Sequence, residues 1–331
     1  MPAGQTGPSQ TGSDGPHTPD ARHFFGAGLE PALVRACGDR LTQLHWFRTD
    51  WQRGGALTGY GRYAGDNGEH EVVVKLPVPP AEATWLDRLQ PHRHDAGDVV
   101  PRLFARGDRV NGYDLAWVVM ERLPHGPLDS SWDGAEWDLL IQAMGRFYAA
   151  AEKYPVDDKP RQEDWPAIVK RARGKVRDHS VQQEQRWNKA LKALGKKLPK
   201  MLERWHDRPI EHWCHGDVHL PNAMTRNQAP QGPALVFDLA NVHAGHWVED
   251  AVYLEHIYWG RDDRLKGRKP ASMLAKARKA MGLEADADWP HLANIRRVLL
   301  AAAAPAYLKN QGDPTHLAGA LAVLERLTPQ V

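Results

Sequence analysis

The period of the apolar positions changes part-way along the chain. Residues 40–47 alternate, 57–64 offer a partner run, 71–76 are rich in valine, and 115–120 form a continuous apolar run of the kind that buried strands show. Gly65, Asp66, Asn67 and Gly68 tolerate positive φ and predict a hairpin turn between the second and third runs. One helix is predicted among these strands at 80–89, where Pro80 sits in a first turn that accepts proline. Beyond Pro127 the period lengthens. Trp137, Leu140, Ile141, Met144, Phe147 and Tyr148 fall three and four apart, behind the capping candidates Asp129, Ser130 and Ser131. More helix is expected at 166–205, short strands near 212–214 and 234–237, and helices from there onward. The expected fold class is α+β. A small antiparallel-sheet lobe at 23–122 leads into a larger, mainly helical lobe at 123–331, joined where Pro124, Gly126 and Pro127 interrupt both patterns. Residues 1–22 read as a disordered tail.

Composition narrows the class without naming a chemistry. The 331 residues are 25% charged and 42% hydrophobic with a formal net charge of +2, near the averages for soluble globular chains. Such a balance gives no global case for a nucleic-acid or membrane partner, and neither is expected. Residues 159–208 carry fifteen Lys and Arg against six Asp and Glu, which reads as the solvated face of long helices. The apolar run 299–308 is about half the roughly 20 residues a membrane span needs, and Pro305 interrupts it. Cys37 and Cys214 cannot form a disulfide framework, so a reducing, cytoplasmic location is expected, with Cys214 as a buried strand residue.

Chemistry concentrates between His212 and Asp250. Asp217 and Asn222 lie on one short segment with Gly216 and Pro221, and Asp238 ends an apolar run. Two strand ends would then bring three oxygen-bearing side chains to one point. Hard oxygen ligands suit Mg²⁺, which takes one or two carboxylates and leaves its other positions to phosphates and water. A further carboxylate free of the metal can accept a proton from an attacking hydroxyl.

His215-Gly-Asp217-x-x-x-x-Asn222, then Phe237-Asp238, Gly245 and Glu249-Asp250-Ala251, resembles the aminoglycoside phosphotransferase and choline kinase family, relatives of the protein kinases in fold. The resemblance extends from about residue 50 to 255. It implies a protein-kinase-like two-lobed fold, ATP and Mg²⁺ as cofactors, and transfer of the γ-phosphate to a small-molecule hydroxyl. Under it, Asp217 is the catalytic base, Asn222 and Asp238 hold metal, and His215 and Asp250 support the loop. Lys75, on the third strand-like run, is expected to hold the phosphates, with Glu82 orienting it, although seven residues is a short separation. Gly54 and Gly55 are the candidate phosphate loop, and Met120, Glu121 and Leu123 the hinge that meets the adenine through backbone groups.

Other readings stand beside this one. Six histidines between His212 and His256, with His215 and His219 at a metal-binding spacing, suit a metal-dependent hydrolase. A non-catalytic nucleotide-binding protein of the same fold is a third reading. A kinase acting on proteins fits less well, because no activation segment lies between Asp238 and Asp250. The acceptor stays open among a sugar, an amino sugar, an aminoglycoside-like compound and an amino alcohol. From Glu249 onward ten Asp and Glu face twelve Lys and Arg, although Glu255, Asp262 and Asp263 are local acids. Trp247, Trp259 and Trp289 are candidate pocket walls.

Overall fold

The computed structural model describes residues 21–47, 56–129, 133–156, 160–178 and 181–331. The chain opens with helix α1 (Ala21–Ala36), then strands β1 (Leu41–Phe47), β2 (Leu57–Gly65) and β3 (Gly68–Leu76), helix α2 (Pro80–Arg88), and strands β4 (Leu103–Gly107) and β5 (Trp117–Glu121). The five strands form one antiparallel sheet in the order β1-β2-β3-β5-β4. The hairpin closes where predicted, with Gly65 opposite Gly68 and Gly68 at φ +116°. Period two sorts β3 between two faces. Val72, Val74 and Leu76 are buried beside Leu29, Leu33 and Cys37 of the α1 segment, so Lys75 is left on the opposite face.

Two elements of this lobe differ from expectation. Helix α1 was not predicted and begins inside the stretch expected to be tail; residues 1–20 lie outside the described residues. Its sequence holds Gly26, Gly28 and Pro31, which mask a helical signal, and packing of Leu29 and Leu33 on the sheet supplies what propensity lacks. Strand β4 has the short sequence LFARG and is recruited by pairing with β5, with a register shift between Leu103 and Ala105.

The remaining elements are α3 (Ala135–Ala151), α4 (Trp165–Asp178), α5 (Glu184–His206), β6 (His212–Cys214), β7 (Ala223–Thr225), β8 (Ala234–Val236), β9 (His243–Gly245), α6 (Val248–His256), α7 (Pro270–Ala280), α8 (Trp289–Ala303), α9 (Leu308–Gln311) and α10 (Pro314–Leu327). The predicted face of α3 is buried throughout, from Trp137 to Tyr148. Its N-cap is Gly134 in a left-handed conformation, not the upstream residues proposed; Ser130 and Ser131 lie outside the described residues. The strands at 212–214 and 234–236 do not pair with each other. β6 pairs with β9, and β7 with β8. The basic stretch forms α4 and α5, which bury Trp165, Val169, Trp187, Leu191 and Leu194 and leave Lys189, Lys192, Lys196 and Lys200 in solvent. The apolar run at 299–308 breaks at Ala303, where a 3₁₀ turn containing Pro305 begins. Among the described residues no helix is long and apolar enough to cross a membrane.

One apolar core joins the α2 side of the sheet to the helices. Trp85 and Leu86 of α2 and Val118 and Met120 of β5 share it with Trp213, Leu220 and Val236. Trp85 meets Trp213 edge-on at 4.8 Å between ring centroids, a contact that contributes about 1 kcal/mol beyond area burial. This core sets the sheet face bearing Lys75 against the segments around Asp217 and Asp238.

Candidate active site

β6 delivers the chain into a loop at 215–222 whose backbone is held from the helices. Asp250, in the first turn of α6, is buried, and its carboxylate accepts hydrogen bonds from the amides of His215 and Gly216, both at 2.8 Å. Tyr148 of α3 donates a third at 2.9 Å. Charge-assisted bonds of this kind are about twice as strong as neutral ones, so α6 fixes where the loop starts. Gly216 is required there. Its φ is +80°, and a Cβ would lie 2.2 Å from the Asn241 carbonyl oxygen.

His215 is buried with both ring nitrogens engaged. Nδ1 accepts from the Asp217 amide at 3.3 Å, which leaves Nε2 to donate to the Phe237 carbonyl at 3.2 Å. Burial lowers its pKa and keeps the ring neutral. The imidazole thereby ties the loop to the segment that carries Asp238.

Asn222 closes the loop from its other end. Its Nδ2 donates to the Asp217 carbonyl at 2.8 Å and to Asp217 Oδ2 at 3.3 Å. The other carboxylate oxygen of Asp217 accepts from the Tyr253 hydroxyl at 2.6 Å, and His219 Nε2 stands 3.7 Å from it. Burial and the hydrogen bond to Asp217 raise the Tyr253 pKa, so the phenol keeps its proton. Phe237 donates its amide to the Asn222 carbonyl at 3.1 Å, and Val236 donates to the Val99 carbonyl at 2.9 Å. Asp238 follows in a left-handed conformation at φ +62°, ψ +60°, a local strain that the surrounding bonds hold in place.

Lys75 reaches across from the sheet. Its Nζ pairs with Glu82 of α2 and lies 3.5 Å from Asp238 Oδ1. Burial opposes its charge, but the carboxylates of Glu82 and Asp238 outweigh burial and raise its pKa, so the cation persists. Glu82 is itself buried, and the short separation in sequence is bridged because α2 starts four residues beyond β3.

The structure therefore brings Lys75, Glu82, His215, Asp217, Asn222, Asp238 and Asp250 to one place. Gly54 and Gly55 lie outside the described residues. Met120 and Glu121 end β5, and Leu123 is buried just beyond. The carboxylate of Glu121 is committed to Arg226, at 2.6 and 2.8 Å, and to the Arg102 amide at 3.0 Å. Its side chain is thus tied inside the chain.

Asn222 and Asp238 offer oxygens suited to a hard divalent ion. The amide nitrogen of Asn222 is spent on Asp217, which leaves Oδ1 available, and the Asp238 side chain is 41% exposed. These donors fit Mg²⁺. The hydrolase alternative lacks such a fit, since His215 has no free nitrogen and, among the described residues, no group of three His, Cys, Asp or Glu side chains is placed to hold a metal ion.

A cavity of about 500 Å³ opens beside Gly216, Asp250 and Tyr253, with Arg161, Arg261 and His316 also in its wall. The proposed tryptophan walls are elsewhere: Trp247 and Trp259 are buried, and neither they nor Trp289 line the cavity. Nor do Glu255, Asp262 and Asp263; Glu255 is held by Arg297 at 2.7 and 2.9 Å. Tyr253 escaped the sequence reading. It lies three residues beyond Asp250, one helical turn along α6, so a hydroxyl at that offset was the available signal.

The model of the phosphotransferase enzyme family matches residues 53–293, well over half of the chain. The chain belongs to that family. The phosphotransferase enzyme expected from the loop motif is therefore borne out, and so is the kinase-like α+β fold. None of the curated proteins compared matches this phosphotransferase. Among solved structures, a spectinomycin phosphotransferase in complex with ADP and spectinomycin is 11% identical with a TM-score of 0.56, covering 92% of this chain and 98% of the other. A microcompartment-associated aminopropanol kinase is 17% identical with a TM-score of 0.55, covering 87% and 93%. A choline/ethanolamine kinase family protein from Mesorhizobium loti is 13% identical with a TM-score of 0.53, covering 94% of each. At these identities the likeness is one of fold.

Proposed function

We propose that this phosphotransferase moves the γ-phosphate of ATP, with Mg²⁺, onto a hydroxyl of a small molecule. The observation that carries the reading is Lys75, held between Glu82 and Asp238 beside the loop bearing Asp217 and Asn222. Lys75 holds the α- and β-phosphates. Asn222 and Asp238 hold the metal, which neutralises charge on the transferring group. Asp217 accepts the proton of the attacking hydroxyl, its carboxylate kept in place by Asn222 and Tyr253. The adenine lies against the backbone of Met120, Glu121 and Leu123. Asp250 and His215 hold the loop. The sheet at 23–122 and the helices at 123–331 act as the nucleotide and acceptor lobes. Crystals of relatives with ADP or AMP-PNP support a nucleotide in this cleft. Two buried free cysteines suit a cytoplasmic setting.

The test is ADP release from Mg²⁺-ATP against sugars, amino sugars, aminoglycosides and amino alcohols, beside Asp217→Ala and Asp238→Ala. Acceptor-dependent release is expected to fall about 100-fold or more in Asp217→Ala. Turnover of Asp217→Ala at the native rate removes the base, and metal-independent turnover in Asp238→Ala removes the metal site.

A further inference from the structure

The wall of the acceptor cavity carries information about the acceptor's charge. Four carboxylates reach it: Glu163, Glu249, Asp250 and Asp313. The chain itself satisfies all four. Glu163 takes two bonds from Arg296, at 2.5 and 3.3 Å. Glu249 takes Arg208 at 3.1 Å and the His246 amide at 3.0 Å, and its second oxygen lies 3.7 Å from His243 Nε2. Asp250 holds the loop amides. Asp313 pairs with Arg261 and caps α10 through the Thr315 amide at 2.9 Å.

Guanidiniums pair with three of these carboxylates, Arg296 with Glu163, Arg208 with Glu249 and Arg261 with Asp313, and Asp250 is spent on two amides and the Tyr148 hydroxyl. A site for a polycationic acceptor needs the reverse, because an ammonium group taken out of water must find an unengaged anion. What remains unengaged here are a guanidinium and an imidazole nitrogen. Arg161 is exposed and has no ion pair among the described residues, while His316 Nε2 is buried without a hydrogen-bond partner in a residue more than nine-tenths buried. A buried polar atom left without a partner in a substrate cavity awaits one from the substrate.

We propose that the acceptor is a hydroxyl compound bearing one carboxylate, of the sugar-acid or hydroxy-acid class. Arg161 and His316 receive its oxygens, and its hydroxyl is presented to Asp217. This inference rests on the phosphotransferase reading given above.

Two matched sets test it. Glucuronate, glucose, glucosamine and glucose 6-phosphate share a hexose ring and differ in charge; glycerate, glycerol and serinol do so on three carbons. ADP release and thermal stabilisation are measured for each with Mg²⁺-nucleotide, in the wild type and in Arg161→Glu. In at least one set the carboxylate member is expected to exceed its neutral and cationic counterparts about tenfold in kcat/KM. Arg161→Glu should lose that advantage, the carboxylate member's kcat/KM falling to or below that of its neutral counterpart. Preference for glucosamine, serinol or glucose 6-phosphate, absence of charge discrimination, or no response to any member overturns the inference. Failure of the underlying reading is distinguishable, since Mg²⁺-ATP then neither stabilises the protein nor responds to Asp238→Ala.

Discussion

Around Lys75 the site is closed by short internal contacts among groups from two stretches of sequence. The cavity beyond Tyr253 is walled instead by side chains from several segments between Arg161 and His316. On the Lys75 side, Asp217 and Asn222 come with the loop itself, and Asp238 is two residues beyond the paired strand β8. On the cavity side no two paired charges are neighbours in sequence: Glu163 meets Arg296 across 133 positions and Arg261 meets Asp313 across 52. The first region is a constrained loop in which each residue fixes the next. The second is a set of ion pairs drawn from distant segments, touching the loop through Gly216 and Asp250. A family can therefore keep one chemistry and vary its acceptors, and changes to the two sides should read out differently.

The largest expected effect is on the loop. Gly216→Ala must move backbone at Asn241 or the loop itself, and a displacement of about 1 Å is enough for roughly 100-fold in turnover. The loss should be the same for every acceptor, measured as kcat across the panel. An acceptor-dependent loss breaks the division between the two sides.

Acid should strike the cavity side. His256 is a buried cavity residue whose pKa is lowered to about 4 by burial, with His316 and Arg296 adding to it against the Tyr253 carbonyl. An imidazole held neutral when folded but free to protonate when unfolded favours the folded state above its ordinary pKa near 6.5. That favour is lost as pH falls from there towards 4. It amounts to about 2 kcal/mol between pH 7 and pH 5. His256→Gln should lessen the fall in unfolding free energy over that interval by about that amount, measured by denaturant titration.

Tyr253 stands on the boundary. Tyr253→Phe removes a hydrogen bond to the proposed base and should lower kcat about tenfold, with nucleotide affinity unchanged. A change confined to nucleotide binding would move Tyr253 out of the acceptor side. The smallest effect belongs to the solvent face of α5, where Lys192→Glu should leave turnover unaltered and stability within about 0.5 kcal/mol.

The strands β1, β2, β3 and β5, the helices α2 and α3, and the residues of the 215–222 loop were legible because their signals are local. Alternation marks a half-buried strand, a three-four spacing marks one face of a helix, and a loop motif keeps its functional residues within a few positions of one another. Helix α1 was not legible, since its glycines and Pro31 speak against the packing that holds it. The pairing of β6 with β9 and of β7 with β8 also escaped, because three-residue strands carry too little pattern to name a partner.

The sequence by itself determined the lobed α+β organisation, the order of the chemical groups and the phosphotransferase class, all of which rest on near-neighbour spacing. Only the tertiary structure decided that Lys75 also reaches Asp238, that Tyr253 holds Asp217, and that the cavity's carboxylates are already engaged. Those contacts join residues far apart in the chain, and their partners are selected by burial and charge balance once the elements have packed. Spacing along the sequence carries no trace of that selection.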